Sequence, residues 1–428
     1  MKRFFAKKVI TALLFTLILF TFSFLNWKVA YPDLKVSALS YWTDNEQNKW
    51  EQLSTLIANV SNTMSDKVFE KYTYIETYGY IQELLGKNEI NNFEVIKATD
   101  GTLHYTYFTS GANDVSKLVE RMKRLNQAAS EVGSKVIYVM TPDKYITGVT
   151  KFERGMPYNY ANETADNFLE ELADEEIDTI DFRDLMKEDD QYKPESFYKT
   201  DHHWKIETAF WAFTKFVDVL EEKYGFEFPN EELYANLDNY NQITYKDSYI
   251  GSMGRKEGKL YSKVEDFTFI YPKFDTNFYF YAQSGSQEIK TEGRFEKSVT
   301  FTSLLSGDGD VYDATNDKYF TYMDGNPAFA EVNNFNEPNG AKVLFIKDSL
   351  MVPVASFFSL GCSKVYMIDP RYYYGNIEKV ISDYKFDYIF VSYTPQNLTE
   401  EFFPFYESNL PGRWWMHDCP FINWNGVL

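Results

Sequence analysis

The sequence predicts an α/β fold in which a parallel sheet is flanked by helices. Short uninterrupted apolar runs such as residues 343–346 read as strands buried on both faces. Segments such as 115–132, with apolar residues at 115, 118, 119, 122 and 125, carry the helical period. The two kinds alternate along the chain, which is the pattern of strands joined by crossover helices.

Taken in order, Lys2, Arg3, Lys7 and Lys8 precede residues 9–25, seventeen positions without a charge. That is just long enough for a membrane helix, and the basic flank sets the N-terminus in the cytoplasm and the rest outside. Residues 26–30 offer no clear small-x-small cleavage site and Trp27 suits a membrane interface, so an uncleaved anchor is favoured over a signal peptide. Residues 1–30 are then tail and transmembrane anchor. Residues 31–94, polar with Leu53, Leu56, Ile57 and Val60 at helical spacing, form a helical stalk or lid. The remainder, 95–428, exceeds a usual single core, so a large insertion is expected within it.

In that remainder, residues 103–107 read as a strand, 135–142 as a buried strand ending at Pro142-Asp143-Lys144, 163–173 as a helix and 179–182 as a short strand. A helix over 205–224 stops at Gly225, with Pro229 beyond. The insertion spans about 230–340 and is β-rich, with alternating runs at 267–271 and 278–281. Strands return at 343–346, 364–368 and 386–392, with helices from about Val352 and Asn376 between them.

A net charge of −20 excludes nucleic acid as a partner, since phosphates call for basic patches. The 34 Tyr and 37 Phe are mostly core, with a surplus that suits sugar stacking only weakly. The two cysteines, Cys362 and Cys419, either pair outside the cell or remain thiols; their spacing does not decide it.

Chemistry concentrates at Asp201-His202-His203-Trp204, which holds two of four histidines and precedes an apolar helix. A carboxylate beside an imidazole fixes its tautomer and stabilises the imidazolium. The matching nucleophile is Ser349, placed by Lys347-Asp348-Ser349 at a strand-to-helix turn. The plainer readings are a helix cap at Thr200 or Asp201 and a second cap at Ser349. A metal site is disfavoured, because adjacent histidines rarely face one ion and no Cys or Glu is suitably spaced. His104 and His417 read as satisfied or exposed. Side chains of neighbouring residues diverge in an extended loop, so His202 is expected to point away from His203.

At these residues the chain resembles the DHHW family, relatives of the alginate O-acetyltransferases with an SGNH-hydrolase-like domain. The likeness rests on residues 200–204, 347–349, 368–373 and 387–391, with two further blocks at 100–103 and 142–144. It implies Ser349 as nucleophile, His203 as base and Asp201 as its orienting acid. Two departures stand out: the Asp-His pair precedes the serine, and lysine occupies the place of the glycine before Asp348. The oxyanion or substrate contacts expected are the Leu350 N–H, the Gly251-Ser252 backbone, Arg371 and Asn397. The resemblance implies transfer of acetyl groups to hydroxyls of a surface polysaccharide, with no cofactor and no metal. A polytopic membrane-bound O-acyltransferase is the expected acyl-donor partner, because one span cannot carry acyl groups across a bilayer. An esterase with the same three residues and a non-catalytic polysaccharide-binding scaffold are the alternatives.

Overall fold

The computed structural model describes residues 2–43, 49–90, 93–107, 109–156, 159–285, 287–306, 311–312 and 317–403. His417 and Cys419 lie outside them. The pairing of Cys419 with Cys362 therefore has no structural counterpart; Cys362 itself is a buried thiol.

Residues 1–78 form one compact unit. Its helix α1 (Lys2–Thr43) joins the expected anchor and the start of the stalk into one continuous helix, with Pro32 inside it. By length and composition, Lys7–Leu39 is long and apolar enough to cross a membrane. Its apolar side chains, among them Leu13, Phe15, Ile18 and Phe20, are exposed. Two further helices follow, α2 (Lys49–Asp66) and α3 (Lys71–Leu84), the latter running into the second unit.

The second unit, from residue 79 onward, is built on an eight-stranded sheet. Its strands are β1 (Lys135–Met140), β2 (Asp178–Asp181), β3 (Phe278–Ser284), β4 (Gln287–Gly293), β5 (Phe329–Asn334), β6 (Ala341–Lys347), β7 (Cys362–Ile368) and β8 (Tyr388–Tyr393), in the order β2-β1-β8-β6-β7-β5-β3-β4. The first five in that order run parallel, as expected. The sheet as a whole is mixed, because β5, β3 and β4 from the insertion add antiparallel strands beyond β7. The inserted segment thus extends the main sheet as well as forming a separate two-stranded ribbon, Tyr240–Tyr249 with Glu265–Pro272.

Helices α5 (Ala161–Asp174) and α6 (Phe182–Glu188) follow β1 and β2. Central strand β6 explains the uninterrupted apolar run. Val343 and Phe345 enter one core with helix α7 (Ile206–Tyr224) and helix α8 (Met351–Phe358); Leu344 and Ile346 enter another with helix α4 (Ser116–Ser130) and helix α9 (Ile377–Tyr384). Each of these four side chains is fully buried, which stabilises the fold by about 1.5–3 kcal/mol apiece. On α4 the buried residues Leu118, Val119, Met122, Leu125 and Ala129 make a single stripe. Helix α7 stops where expected: Gly225 takes φ +64° and the Phe226 N–H bonds Leu220 O at 3.1 Å, a left-handed cap that glycine adopts without a Cβ penalty.

Candidate active site

Two turns meet at the carboxyl ends of the parallel strands, where open α/β sheets collect their reactive groups. One turn leaves β6 through Asp348, Ser349 and Leu350 into α8. The other, residues 198–204, leads into α7 and is pinned by the Phe197–Trp204 bridge and by the Tyr198 N–H on His203 O. The Trp204 indole Nε1–H donates to Leu350 O at 3.0 Å and fastens one turn to the other.

The fastening brings together residues 146 positions apart. His203 Nε2 lies 2.6 Å from Ser349 Oγ, and His203 Nδ1 lies 2.9 Å from Asp201 Oδ1. All three side chains are buried. The Tyr319 ring stacks on the His203 imidazole at 3.9 Å between centroids and 20° between planes, closing its other face. Burial and the neighbouring His202 push the His203 pKa below the usual value, against the pull of Asp201. Burial pushes the Asp201 carboxyl up, but His203 and His202 outweigh it and hold the group well below the usual carboxylate range. A neutral imidazole between an anionic carboxylate and a hydroxyl can accept the hydroxyl proton.

Asp201 is fixed from the insertion. Its Oδ2 accepts the Tyr249 hydroxyl at 2.8 Å and the Ser252 N–H at 3.0 Å; its Oδ1 accepts the His202 N–H at 2.6 Å. The Gly251 N–H donates to Thr200 Oγ1 at 2.8 Å, and Glu265 in turn accepts both the Thr200 N–H and hydroxyl. A Cβ on Gly251 would sit 2.2 Å from the Asp201 Cβ, so only glycine permits this approach. Of the two N–H groups expected at the oxyanion, that of Ser252 therefore holds Asp201 and that of Gly251 holds the Thr200 hydroxyl. Tyr249 and Tyr319 escaped the sequence reading; Tyr249 lies two residues before Gly251, whose backbone was singled out, whereas nothing local marked Tyr319.

The other expected oxyanion contacts are likewise engaged. The Leu350 N–H donates to Asp348 Oδ1 at 3.1 Å, and Asn397 Nδ2 donates to Asp348 Oδ2 at 2.9 Å beside the Thr394 N–H at 2.8 Å. Arg371 forks onto Asp369, Nε to Oδ1 at 3.0 Å and Nη2 to Oδ2 at 2.7 Å. The Ser349 N–H, by contrast, donates to no acceptor among the described residues. None of Lys347, Asp348 and Ser349 has a positive φ, so the turn does not need the absent glycine. Lys347 is fully buried, donates to Asn326 Oδ1 at 2.8 Å, and has its pKa pushed down to about 8 by burial.

His202 departs from expectation. Residues 201–203 form a tight bend around the Asp201 carboxylate, so the His202 ring converges on the site: it lies 3.9 Å from the His203 ring, with Nδ1 2.9 Å from Asp201 Oδ1. Asp201, His202 and His203 thus present ligand atoms within 4.8 Å of one another. Three N–H and O–H donors already point at the same carboxylate, an arrangement that suits proton sharing better than a cation. His104, read as satisfied, bonds the Thr102 hydroxyl at 2.8 Å. A cleft of about 660 Å³ is lined by Tyr198, Lys199, Lys205 and Glu265 among others, and by none of Asp201, His203 and Ser349.

Residues 101–237 match the family model described as the SGNH hydrolase-like domain of the acetyltransferase AlgX. Among solved structures, the chain is similar to Bacillus cereus PatB1 with a sulfonyl adduct: TM-score 0.58, 17% identity, 73% of this chain and 100% of that one. It is also similar to a DHHW family protein from Eubacterium siraeum DSM 15702: TM-score 0.50, 17% identity, 71% of this chain and 94% of that one. No curated protein matches the sequence. Fold and sequence match agree: the second unit has an SGNH-like α/β fold, and its residues 101–237 are similar to the SGNH hydrolase-like domain of the acetyltransferase AlgX.

Proposed function

We propose that the protein is an extracytoplasmic O-acetyltransferase that moves an acetyl group through a Ser349 acyl-enzyme onto a hydroxyl of a surface polysaccharide. The observation that carries this reading is the unbroken contact from Asp201 through His203 to Ser349, 2.9 Å and then 2.6 Å. His203 takes the Ser349 proton as Oγ attacks the acyl carbonyl, and Asp201 holds the imidazole in the tautomer that leaves Nε2 free to do so. The Ser349 N–H, donating to no described residue, is the donor best placed for the developing oxyanion. His203 returns the proton to the leaving group. It then deprotonates the acceptor hydroxyl, which breaks the Ser349 ester.

The match to an acetyltransferase domain supports acetyl as the group moved. The apolar stretch Lys7–Leu39, with Lys2, Arg3, Lys7 and Lys8 at its N-terminal side, supports a single-pass anchor with the α/β unit outside the cell. One span cannot carry an acyl group across the bilayer, so the donor partner is a polytopic membrane-bound O-acyltransferase.

The sulfonyl adduct named for PatB1 supplies the reagent for a test. Treating the folded protein with an aryl sulfonyl fluoride is expected to label Ser349, mapped by peptide mass spectrometry, and Ser349→Ala abolishes the label. No label on Ser349 in folded protein would overturn the reading. Acetylated oligosaccharide among the products identifies transfer; free acetate alone identifies the esterase.

A further inference from the structure

The site contains a second imidazole that the acyl-enzyme mechanism leaves unused. His202 Nδ1 faces Asp201 Oδ1 at 2.9 Å and Ser252 Oγ at 3.5 Å, whereas its Nε2 has no partner among the described residues. Its side chain is 15% exposed, against 2% for His203 and 1% for Asp201, so within this cluster it is the ring that reaches solvent.

The surroundings of His202 are polar and incompletely matched. The Tyr105 ring lies 5.9 Å away, and its hydroxyl donates to Ser252 Oγ, which is itself 3.5 Å from His202 Nδ1. Asp143, buried after β1, leaves its Oδ2 without a hydrogen-bond partner among the described residues. A buried carboxylate oxygen and an imidazole nitrogen without partners are costly unless a hydroxyl-bearing molecule enters.

We propose that His202 is an acceptor-binding residue: Nε2 accepts a hydrogen bond from one hydroxyl of a vicinal-diol sugar, turning the neighbouring hydroxyl toward the Ser349 acyl ester. The inference rests on the acyl-enzyme reading. In the transfer step the sugar oxygen forms the new C–O bond, and the bond from the acyl carbon to Ser349 Oγ breaks. The sugar proton passes to His203 Nε2 and on to Oγ; His202 neither gains nor loses a proton. Acylation of Ser349 precedes acceptor entry and does not use His202.

The two half-reactions separate in a stopped-flow experiment on the full chain in detergent. The donor is p-nitrophenyl acetate, and the acceptors are methyl mannopyranoside and, with a single hydroxyl, methanol. His202→Phe keeps an aromatic ring beside His203 but removes both nitrogens. The nitrophenol burst reports any change passed on to His203 and scales both captures. Relative to that burst, capture of the acyl group by the mannoside is expected to fall about tenfold, the size of one lost hydrogen bond, while capture by methanol does not fall. His202→Gln, which restores an acceptor atom, recovers part of the mannoside capture. An unchanged mannoside-to-methanol ratio in His202→Phe, or a burst that falls as much as capture does, overturns the inference and leaves the acyl-enzyme intact. No burst from the unaltered protein overturns both.

Discussion

Asp201 and Asp348 are both 1% exposed, both stand within two residues of a reacting side chain, and both gather at least three donors. Their donors differ in kind. Asp348 holds two backbone N–H groups and the Asn397 amide, none of which titrates. Asp201 holds the Tyr249 hydroxyl and two backbone N–H groups, and in addition faces both imidazoles. One carboxylate faces two titratable rings; the other pins the end of β6 to the end of β8. In sequence the two look alike, and only the set of groups that converges on each assigns the role.

That contrast breaks most visibly at Asp201. Asp201→Asn is expected to lower turnover by roughly 10³–10⁴-fold, the cost of misplacing the imidazole tautomer, with little change in the melting temperature. Gly251→Ala drives a methyl into the Asp201 side chain and is expected to cost about 10²-fold in turnover, since small displacements at a reacting centre are expensive. Asp348→Ala acts on the other side of the comparison: it strands three donors and lowers unfolding stability by about 2–4 kcal/mol, read by denaturant titration. Tyr249→Phe removes one of the bonds that hold Asp201 and is expected to cost about tenfold in kcat without moving the denaturation midpoint appreciably.

The smallest effect is in pH. Burial and His202 lower the His203 pKa, and the neutral form is the active base, so kcat/KM falls as pH drops, with its midpoint below the usual histidine value of about 6.5. Asp201→Asn removes the charge that favours the imidazolium and moves the midpoint lower still, whereas Asp348→Asn leaves it in place. Equal shifts in both variants would erase the distinction between the two acids.

The parallel strands were legible because a strand buried on both faces leaves no polar interruption, as at 343–346 and 386–392. The antiparallel extension was not, because whether an alternating strand such as 278–281 pairs with β5 or only with a neighbouring hairpin strand is decided by tertiary contacts. The reacting trio was legible as a motif. Its donors were not: an N–H carries no mark in sequence of whether Asp348, Asp201 or a substrate receives it. His202 was misread because an extended loop was assumed where the chain bends tightly around a carboxylate.

The position of β6 at the middle of the sheet has a consequence for biosynthesis. The strand bearing Ser349 is flanked by β7 and β8, both made after it, and the Asp348 carboxylate is satisfied only once Thr394 and Asn397 arrive. A nascent or truncated polypeptide ending before Asn397 therefore holds Asp201, His203 and Ser349 in its sequence but lacks the donors that fix the turn bearing Ser349.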